Sequence, residues 1–332
     1  MLNPELKLNP KLFTEEVAQE PIRKGFGVGL RQAGEENANV VALCADLTES
    51  TQMHLFKEKF PERFVEIGVA EQNLVTVASG MSAMGKIPFC SSYAMFSPGR
   101  NWEQIRTTIS YNDRKVIIVG SHAGISVGPD GGTHQALEDI GLMRMLPNMD
   151  VVSPCDSIEA RKTTLDLANK SKRPAYLRLA REKTPIITTE ATPMELGKAQ
   201  VFWMPDVGIA EVGIIVTGGL TYNALLAAKE LEAEGIKTKV LNLVSIKPLD
   251  TEAIIALAKE TKCLVTVEEH QIAGGMGSAV SEVLAQNFPV PIEFIGVHDK
   301  FGQSGTPTEL IKHYGMDKDS IKEAVKKVLK RK

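Results

Sequence analysis

Short runs of apolar, often β-branched residues recur along the chain, and segments with helical periodicity separate them. Residues 40–45, 116–119 and 175–179 are runs of this kind in the first half. Continuous apolar runs are typical of parallel strands that helices cover on both faces. Strands that alternate with helices predict βαβ units, and one such helix, over 157–169, is predicted to have Ser157 as its N-cap. We therefore expect an α/β protein with two open, mostly parallel-sheet αβα domains.

The domain boundary is marked by a change of pattern beyond the middle of the chain. Residues 184–206 carry prolines and threonines in turn and extended patterns but show no period. A chain of 332 residues is long enough for two domains of about 150 residues each. We predict a first domain at 1–190, a linker at 191–205 and a second domain at 206–332. The second domain is predicted to contain strands at 212–216, 239–244, 263–267 and 292–297, and helices at 222–234, 251–260, 276–287 and 321–332.

The charge balance and the cysteines exclude several classes of protein. The chain has 38 basic and 41 acidic side chains and a net charge of −3, which indicates neither a nucleic-acid partner nor an anionic membrane surface. Its four cysteines form no CxxC pair, which argues against a disulfide scaffold and the usual zinc sites. No apolar run approaches the ~20 residues that span a bilayer, and the polar N-terminus does not resemble a signal peptide. We therefore expect a soluble cytoplasmic protein.

One acidic residue opens an otherwise apolar helix. Between residues 70 and 84, apolar side chains recur at helical spacing, and Gly85 is suited to end the helix. Glu71 lies in the first turn, where an acid is favourable because of the helix dipole. A semi-buried carboxylate held for proton chemistry is an equal alternative. The pattern leaves both interpretations open.

Polar and aromatic side chains follow the predicted strands of the first domain. They are Asp46, Ser50, Glu71, Tyr93, Phe96, His122, Asp130, His134 and Arg181. Asp and Ser also cap helices, so each residue alone is weak evidence. However, ligands of open α/β sheets bind at the carboxyl ends of the strands, which lie at one edge. We therefore expect these side chains to form one site.

The most unusual segment runs from His122 to His134. It holds four glycines, a proline, an acid and two histidines. Loops with so few apolar anchors are usually at the surface or functional. Metal binding by His122, Asp130 and His134 is an alternative, but their spacing matches no common ligand pattern. We therefore assign no metal ligand in this chain.

Three other motifs are interpreted as structural. Gly25, Gly27 and Gly29 resemble a phosphate loop, but they precede the first clear strand and favour close packing of a helix. Residues 274–277 contain part of a dinucleotide-binding fingerprint without its last glycine or an acid for the ribose. His270 ends a predicted strand of the second domain, and we interpret it as a structural or subunit-contact residue.

Several segments resemble the transketolase family, whose enzymes use thiamine diphosphate. The matching segments of the first domain are ADLTES at 45–50, IGVAEQN at 67–73, YAMF at 93–96, DGGTHQ at 130–135, LPN at 146–148 and LAR at 179–181. In the second domain, IKPLD at 246–250 and VEEH at 267–270 also match. The resemblance covers essentially the whole chain and is to the C-terminal subunit of split transketolases. It implies a pyrimidine-binding domain followed by a transketolase C-terminal domain.

The resemblance also implies a role for each residue of the predicted site. The implied catalytic residues are Glu71, which would bond N1′ of the aminopyrimidine and favour its imino tautomer, and His134, near the reacting hydroxyl and carbonyl groups. The implied cofactor contacts are Asp46, Glu71, Tyr93 and Phe96, with the aromatic rings stacking on the pyrimidine. The implied contacts to phosphorylated sugars are Arg23, Ser50, His122, Asp130, His134 and Arg181.

One motif of the family is missing. The family binds the cofactor's diphosphate and Mg²⁺ through Gly-Asp-Gly and a later asparagine, and no Gly-Asp-Gly occurs in this chain. The resemblance therefore implies an N-terminal transketolase subunit that carries this site and holds the Mg²⁺. It further implies self-association through the pyrimidine domain, a heterotetramer with two copies of each chain, and activity only with the partner.

The implied reaction transfers a two-carbon ketol unit from a ketose phosphate to an aldose phosphate, as in the pentose phosphate pathway. Residues 70–72 are closer to 1-deoxyxylulose-5-phosphate synthase than to many long transketolases, which leaves the substrate open. The β-subunit of a 2-oxoacid dehydrogenase E1 has the same two domains, but the loop at 130–135 and Arg181 argue against it. A non-catalytic assembly protein of this kind is expected to lack Glu71 or Phe96, and both are present.

Overall fold

The computed structural model describes the whole chain, residues 1–332, as alternating strands and helices. The strands are β1 (Gln19–Pro21), β2 (Val40–Cys44), β3 (Phe64–Glu66), β4 (Ile87–Tyr93), β5 (Ile117–Ser121), β6 (Asp150–Val152), β7 (Ala175–Arg178), β8 (Lys183–Pro185), β9 (Gln200–Trp203), β10 (Val212–Val216), β11 (Thr238–Asn242), β12 (Ser245–Lys247), β13 (Leu264–Gln271) and β14 (Ile292–Val297). The helices are α1 (Ile22–Glu36), α2 (His54–Lys59), α3 (Glu71–Ala83), α4 (Trp102–Gln104), α5 (Asp139–Arg144), α6 (Ser157–Asn169), α7 (Thr221–Ala233), α8 (Thr251–Thr261), α9 (Met276–Asn287), α10 (Pro307–His313) and α11 (Lys318–Leu329). None of these helices is long and apolar enough to cross a membrane.

The first domain is built on a seven-stranded sheet. Its order is β12-β6-β7-β5-β4-β2-β3, and every neighbouring pair is parallel except β12 and β6. Successive residues of β2 point to opposite faces, as the two-residue period of a strand requires. Val40 and Ala42 pack in the core under α1 and α6, whereas Val41 and Leu43 pack in the core that includes α3. The predicted continuous apolar runs are therefore strands buried on both faces, and the α/β fold is confirmed.

Glycines allow α1 to pack closely on α6, as the sequence predicted for them. A Cβ atom on Gly25 would lie 1.8 Å from the carbonyl oxygen of Ser157, and one on Gly29 would lie 2.8 Å from that of Arg161. Both contacts are far shorter than van der Waals distance, so a larger residue would push the helices apart. The phosphate-loop resemblance of this segment thus reflects helix packing.

The second domain is built on a five-stranded sheet. Its order is β14-β13-β10-β11-β9, and only β9, at one edge, is antiparallel to its neighbour. One face packs against α7 and α11 in a core of 29 buried residues. The other face joins Ile215 and Leu241 to Met149 and Val151 of the first domain in a shared core of 28 buried residues. The two sheets are thereby held together by apolar packing rather than by a linker alone.

Two segments cross between the domains in ways that the sequence analysis did not predict. The strand β12, from the second half of the chain, adds to the edge of the first sheet beside β6. Near the N-terminus, Leu8 and Leu12 are buried in the core of the second domain. Within the segment predicted as a linker without regular structure, residues 200–203 form β9. The domain boundaries at 190 and 206 stay a prediction. In the structure, a segment from each half of the chain packs into the other domain.

Two local predictions on the helices are corrected. The N-cap of α6 is Asp156 and not Ser157, because the Asp156 carboxylate accepts a hydrogen bond from the Glu159 amide. Val77 in α3 and Met84, the C-cap of this helix, belong to the predicted apolar stripe, yet both are exposed, with 38% and 83% of their surface accessible. The buried face of this helix is narrower than the sequence pattern suggested.

Candidate active site

Glu71 is a buried carboxylate at the first position of α3. It is 2% exposed, although acids in a first turn usually face water. Its Oε2 accepts a hydrogen bond of 2.9 Å from Nη1 of Arg100, and its backbone carbonyl accepts one of 2.8 Å from the Asn101 side chain. A buried charge needs such partners, since an isolated one would cost several kcal/mol. Glu71 is therefore a buried and fixed carboxylate, and its use in proton chemistry stays a prediction.

Four rings lie together where β4 and β5 end. Tyr93 and Phe96 are stacked, with ring centroids 6.1 Å apart and planes at 17°. His122 stacks on the other side of the group, 3.9 Å from the Tyr93 centroid, and His134 lies edge-on to Phe96 at 5.4 Å. We call these four residues the aromatic cluster. It brings together the end of β4, the loop after β4 and the loop after β5, and it offers flat apolar faces to a ligand.

Two arginines lie beside the aromatic cluster. Arg23, in the first turn of α1, donates a hydrogen bond to the backbone carbonyl of Arg181, and Arg181 donates one of 2.5 Å to that of Val127. Burial, and then the charge of Arg181, lower the pKa of the Arg23 guanidinium from its ordinary value. The Arg23 Nε is buried and has no hydrogen-bond partner. Two crowded cations with an unsatisfied donor suit a bound anion such as phosphate.

His122 is the member of the aromatic cluster that interacts with both arginines, and its ring is neutral. It is 2% exposed, and burial, followed by the charges of Arg23, Arg181 and His134, lowers its pKa to about 3. Its Nδ1 shares a hydrogen bond of 2.9 Å with the Ser121 hydroxyl. At neutral pH this ring is uncharged and can either donate or accept a hydrogen bond.

Asp130 and His134 lie on the glycine-rich loop. Oδ1 of Asp130 is 4.0 Å from Nη1 of Arg181, which connects the loop to the arginines. Nδ1 of His134 shares a hydrogen bond of 2.9 Å with the Thr133 hydroxyl, which leaves its other ring nitrogen for a ligand. The loop thus carries an acid and an imidazole to the edge of the aromatic cluster.

Asp46 and Ser50 follow β2 and make only local contacts in this chain. Asp46 is exposed and has a left-handed backbone, with φ of 56°. Its amide donates to Oε1 of Glu66, and the Ser50 hydroxyl donates to the Leu47 carbonyl. Neither side chain makes a hydrogen bond or an ion pair to the arginines or to the aromatic cluster. The polar contacts within this chain therefore do not connect these two residues to the rest of the predicted site.

Two residues that organise the site were missed by the sequence analysis. Arg100 pairs with Glu71, and its guanidinium also lies 5.5 Å from the centroid of Phe96. Glu66 accepts hydrogen bonds from Asp46, Thr48 and Gly68, so it joins the loops after β2 and β3. Glu66 is the last residue of β3, a short strand of three residues, and a sequence prediction that located this strand end would have identified it.

Metal donors are not clustered in this chain. No group of three or more His, Cys, Asp or Glu side chains is arranged to hold a metal ion. His122 and His134, which were considered as ligands, belong to the aromatic cluster, and Asp130 faces Arg181. The residues present do not fit a Mg²⁺ site within this chain.

Comparison with known proteins assigns both domains. Residues 19–186 match the family model described as transketolase, pyrimidine binding domain, and residues 206–321 match the one described as transketolase, C-terminal domain. The chain belongs to the transketolase family. This family depends on thiamine diphosphate, and the buried Glu71 beside the aromatic cluster provides a carboxylate and flat ring faces of the kind that an aminopyrimidine requires.

Transketolase relatives match nearly all of this chain. A transketolase C-terminal section from Methanocaldococcus jannaschii is 42% identical over 313 residues, which cover 93% of this chain and 96% of the relative. A solved structure described as a split-gene transketolase, inactive β4 tetramer, superposes with a TM-score of 0.86 at 42% identity and covers 93% of this chain and 98% of that one. Rat transketolase is 35% identical over 97% of this chain but only 50% of its own length. The chain thus corresponds to the C-terminal half of long transketolases.

Proposed function

We propose that this chain is the C-terminal subunit of a two-chain, thiamine-diphosphate-dependent transketolase. Together with an N-terminal subunit, it would transfer a two-carbon ketol unit from a ketose phosphate to an aldose phosphate. The proposal rests on one observation. Glu71, the aromatic cluster and the two arginines lie at one edge of the first sheet. A carboxylate and flat rings suit a pyrimidine cofactor, and two neighbouring arginines suit a phosphorylated sugar.

On this proposal, Glu71 holds a proton at N1′ of the aminopyrimidine. A buried carboxylate suits this task because water cannot compete for the proton. Phe96 and Tyr93 orient the pyrimidine by stacking, and Asp46 lies toward the thiazolium end. When bound, thiamine diphosphate supplies a nucleophilic carbon for the transfer of the ketol unit.

The proposed substrate contacts lie on the arginine side. Arg23 and Arg181 bind the sugar phosphate as charged donors, and the neutral His122 donates or accepts a hydrogen bond between them. Ser50 adds a hydroxyl once the partner subunit completes the site. Asp130 and His134 act at the other end of the sugar. Asp130 binds a hydroxyl group of the donor sugar, and His134 transfers a proton at the reacting oxygen of that sugar.

We propose that the diphosphate and Mg²⁺ are held mainly by the N-terminal subunit. The support is the missing Gly-Asp-Gly motif together with the lack of clustered oxygen donors described above. The description of the related β4 tetramer as inactive agrees with a C-terminal chain that associates with itself but needs a partner for activity. The proposed assembly is a heterotetramer with two copies of each chain, joined through the pyrimidine domains. Four buried, unpaired cysteines agree with a cytoplasmic location.

Related chains are named for different sugars. One relative, 37% identical, is named as a subunit of a 6-deoxy-6-sulfo-D-fructose transketolase, and another, 35% identical, as a subunit of an apulose-4-phosphate transketolase. Chains of this similarity are therefore named for different sugars, although they share the transketolase reaction.

The decisive experiment is reconstitution. The chain is purified alone and with an N-terminal transketolase chain, and ketol transfer is measured with thiamine diphosphate and Mg²⁺. We expect transfer only when both chains are present, and weak cofactor binding by this chain alone in calorimetry. Tight, Mg²⁺-dependent binding with turnover by the isolated chain would refute the proposal. Consumption of pyruvate without a ketose donor would instead favour a deoxyxylulose-phosphate-synthase-like activity.

A further inference from the structure

The glycine-rich loop of the site is packed against the second domain. We call residues 124–135 the His134 loop. The Gln135 side-chain amide donates a hydrogen bond of 3.0 Å to the carbonyl of Gln303. A Cβ atom on Gly131 would lie 2.6 Å from the Ser304 hydroxyl, so the two segments are in close contact. All four residues of the aromatic cluster belong to the first domain, yet the second domain borders the loop that supplies His134.

The closest link between this loop and the second domain is Glu269. This residue lies near the end of β13 and is 5% exposed. Its Oε1 accepts a hydrogen bond from the backbone amide of Ser126, near the start of the loop. A Cβ atom on Gly124 would lie 2.4 Å from the same oxygen, and Gly124 has a φ of 90°. The loop therefore approaches the carboxylate as closely as a glycine allows.

Glu269 is itself held in place by buried groups of the first domain. Its backbone carbonyl accepts a hydrogen bond of 2.8 Å from Arg178, on β7. Arg178 forms a buried ion pair with Asp139, with 2.7 Å between Nε and Oδ2, and the Tyr176 hydroxyl donates to the same carboxylate oxygen. Because Arg178 holds the backbone of Glu269, the Glu269 carboxylate can fix the position of the Ser126 amide.

We propose that Glu269 is a positioning residue of the active site. By holding the Ser126 amide, it sets the position of the His134 loop and hence of Asp130 and His134. The second domain thereby controls the substrate end of a site whose proposed contact residues all lie in the first domain. The role in turnover rests on the proposed transketolase function, but the role in fixing the loop does not.

The neighbouring Glu268 provides a matched control. It is 1% exposed and also accepts two backbone hydrogen bonds, at 2.7 Å from Met276 and 2.8 Å from Gly277. These amides lie at the start of α9, within the second domain. Glu268 makes no hydrogen bond to the His134 loop. Its replacement should therefore disturb the second domain without releasing the loop.

Hydrogen exchange of the full chain, measured by mass spectrometry, tests whether Glu269 fixes the His134 loop. Hydrogen bonds to charged groups are among the stronger ones in proteins, so we expect Glu269→Ala to speed exchange of residues 124–135 about ten-fold or more. Glu269→Gln keeps an acceptor without the charge and should give a several-fold increase. Glu268→Ala should speed exchange around residues 274–280 and leave the His134 loop unchanged.

Kinetics of the reconstituted complex test whether the position of the His134 loop affects turnover. We expect Glu269→Gln to raise KM for the sugar and to lower kcat/KM about ten-fold, with cofactor affinity unchanged, whereas Glu268→Gln keeps near wild-type values. Wild-type loop exchange in Glu269→Gln, or equal loosening of the loop by Glu268→Ala, would overturn the proposal. If the wild-type complex shows no ketol transfer, the proposed function fails, and the exchange result still decides the role of Glu269.

Discussion

Nη1 of Arg100 lies 2.9 Å from Oε2 of Glu71, and the same guanidinium lies 5.5 Å from the ring centroid of Phe96. One side chain thus touches both the proposed acid–base residue and the proposed stacking ring. The Glu71 side chain is 3% exposed, whereas that of Arg100 is 54% exposed. Arg100 therefore neutralises a buried carboxylate from the solvent side, where an arriving ligand can displace it.

Replacing Glu71 should abolish most of the activity without unfolding the chain. General acid–base assistance contributes about 10²–10⁴ in rate, so Glu71→Gln should lower kcat of the reconstituted enzyme by that factor. Steady-state kinetics measures the effect, and circular dichroism checks the fold. The exposed Glu62→Gln is the control and should be active. Near wild-type turnover in Glu71→Gln would show that the carboxylate has no catalytic role.

Removing Arg100 should destabilise the chain because it leaves the Glu71 carboxylate buried without its partner. An ion pair with one exposed member is worth about 0.2–1 kcal/mol, and an unsatisfied buried acceptor adds to the cost, so we expect Arg100→Met to lose roughly 1 kcal/mol. The loss should shrink in the Glu71→Gln background, which a double-mutant cycle by urea unfolding measures. Equal losses of stability in the wild-type and Glu71→Gln backgrounds would mean that the Arg100–Glu71 ion pair does not stabilise the fold. The exposed Arg31→Met should have little effect.

Arg181 should matter for phosphorylated sugars and much less for others. A hydrogen bond to a charged group is worth about 1.5–3 kcal/mol, so Arg181→Ala should lower kcat/KM for phosphorylated substrates roughly ten- to two-hundred-fold. Non-phosphorylated analogues should react almost as they do with the wild type. Equal losses for both kinds of substrate would indicate that Arg181 only supports the His134 loop through Val127. Arg31→Ala is the control for loss of a surface charge.

His122 should make the fold sensitive to acid. Its pKa is about 3 in the folded chain and about 6.5 when unfolded. Between these values the unfolded chain binds a proton that the folded chain does not, so the free energy of unfolding falls as pH falls below about 6.5, by up to about 1.4 kcal/mol per pH unit. His122→Asn should flatten this decline in urea unfolding between pH 7 and 4, whereas the exposed His313→Asn should not. An unchanged slope in His122→Asn would contradict the burial of a neutral ring.

The sequence predicted those parts of the fold that have a local signal. The apolar runs of β2 and β5 are long enough to be recognised as strands, and the rule for ligand sites in such sheets led to side chains after β4 and β5 that do lie together. β12 was missed because three residues cannot show a period, and its partner β6 is distant in sequence. The partnership of Arg100 with Glu71 was missed for a related reason, since the two residues are 29 positions apart and meet only through tertiary packing.

The exchange of β12 between the two halves has a consequence for dissecting or recombining chains of this kind. A fragment that ends between residues 191 and 205 would lack β12 and leave the backbone groups of β6 unpaired along that edge of the first sheet. An uncovered strand edge is a template for association with other chains, so such a fragment should aggregate. A chimaera that exchanges the C-terminal domain at the same boundary imports a foreign edge strand into the pyrimidine domain. Recombination is therefore expected to succeed when both domains are moved together as one unit.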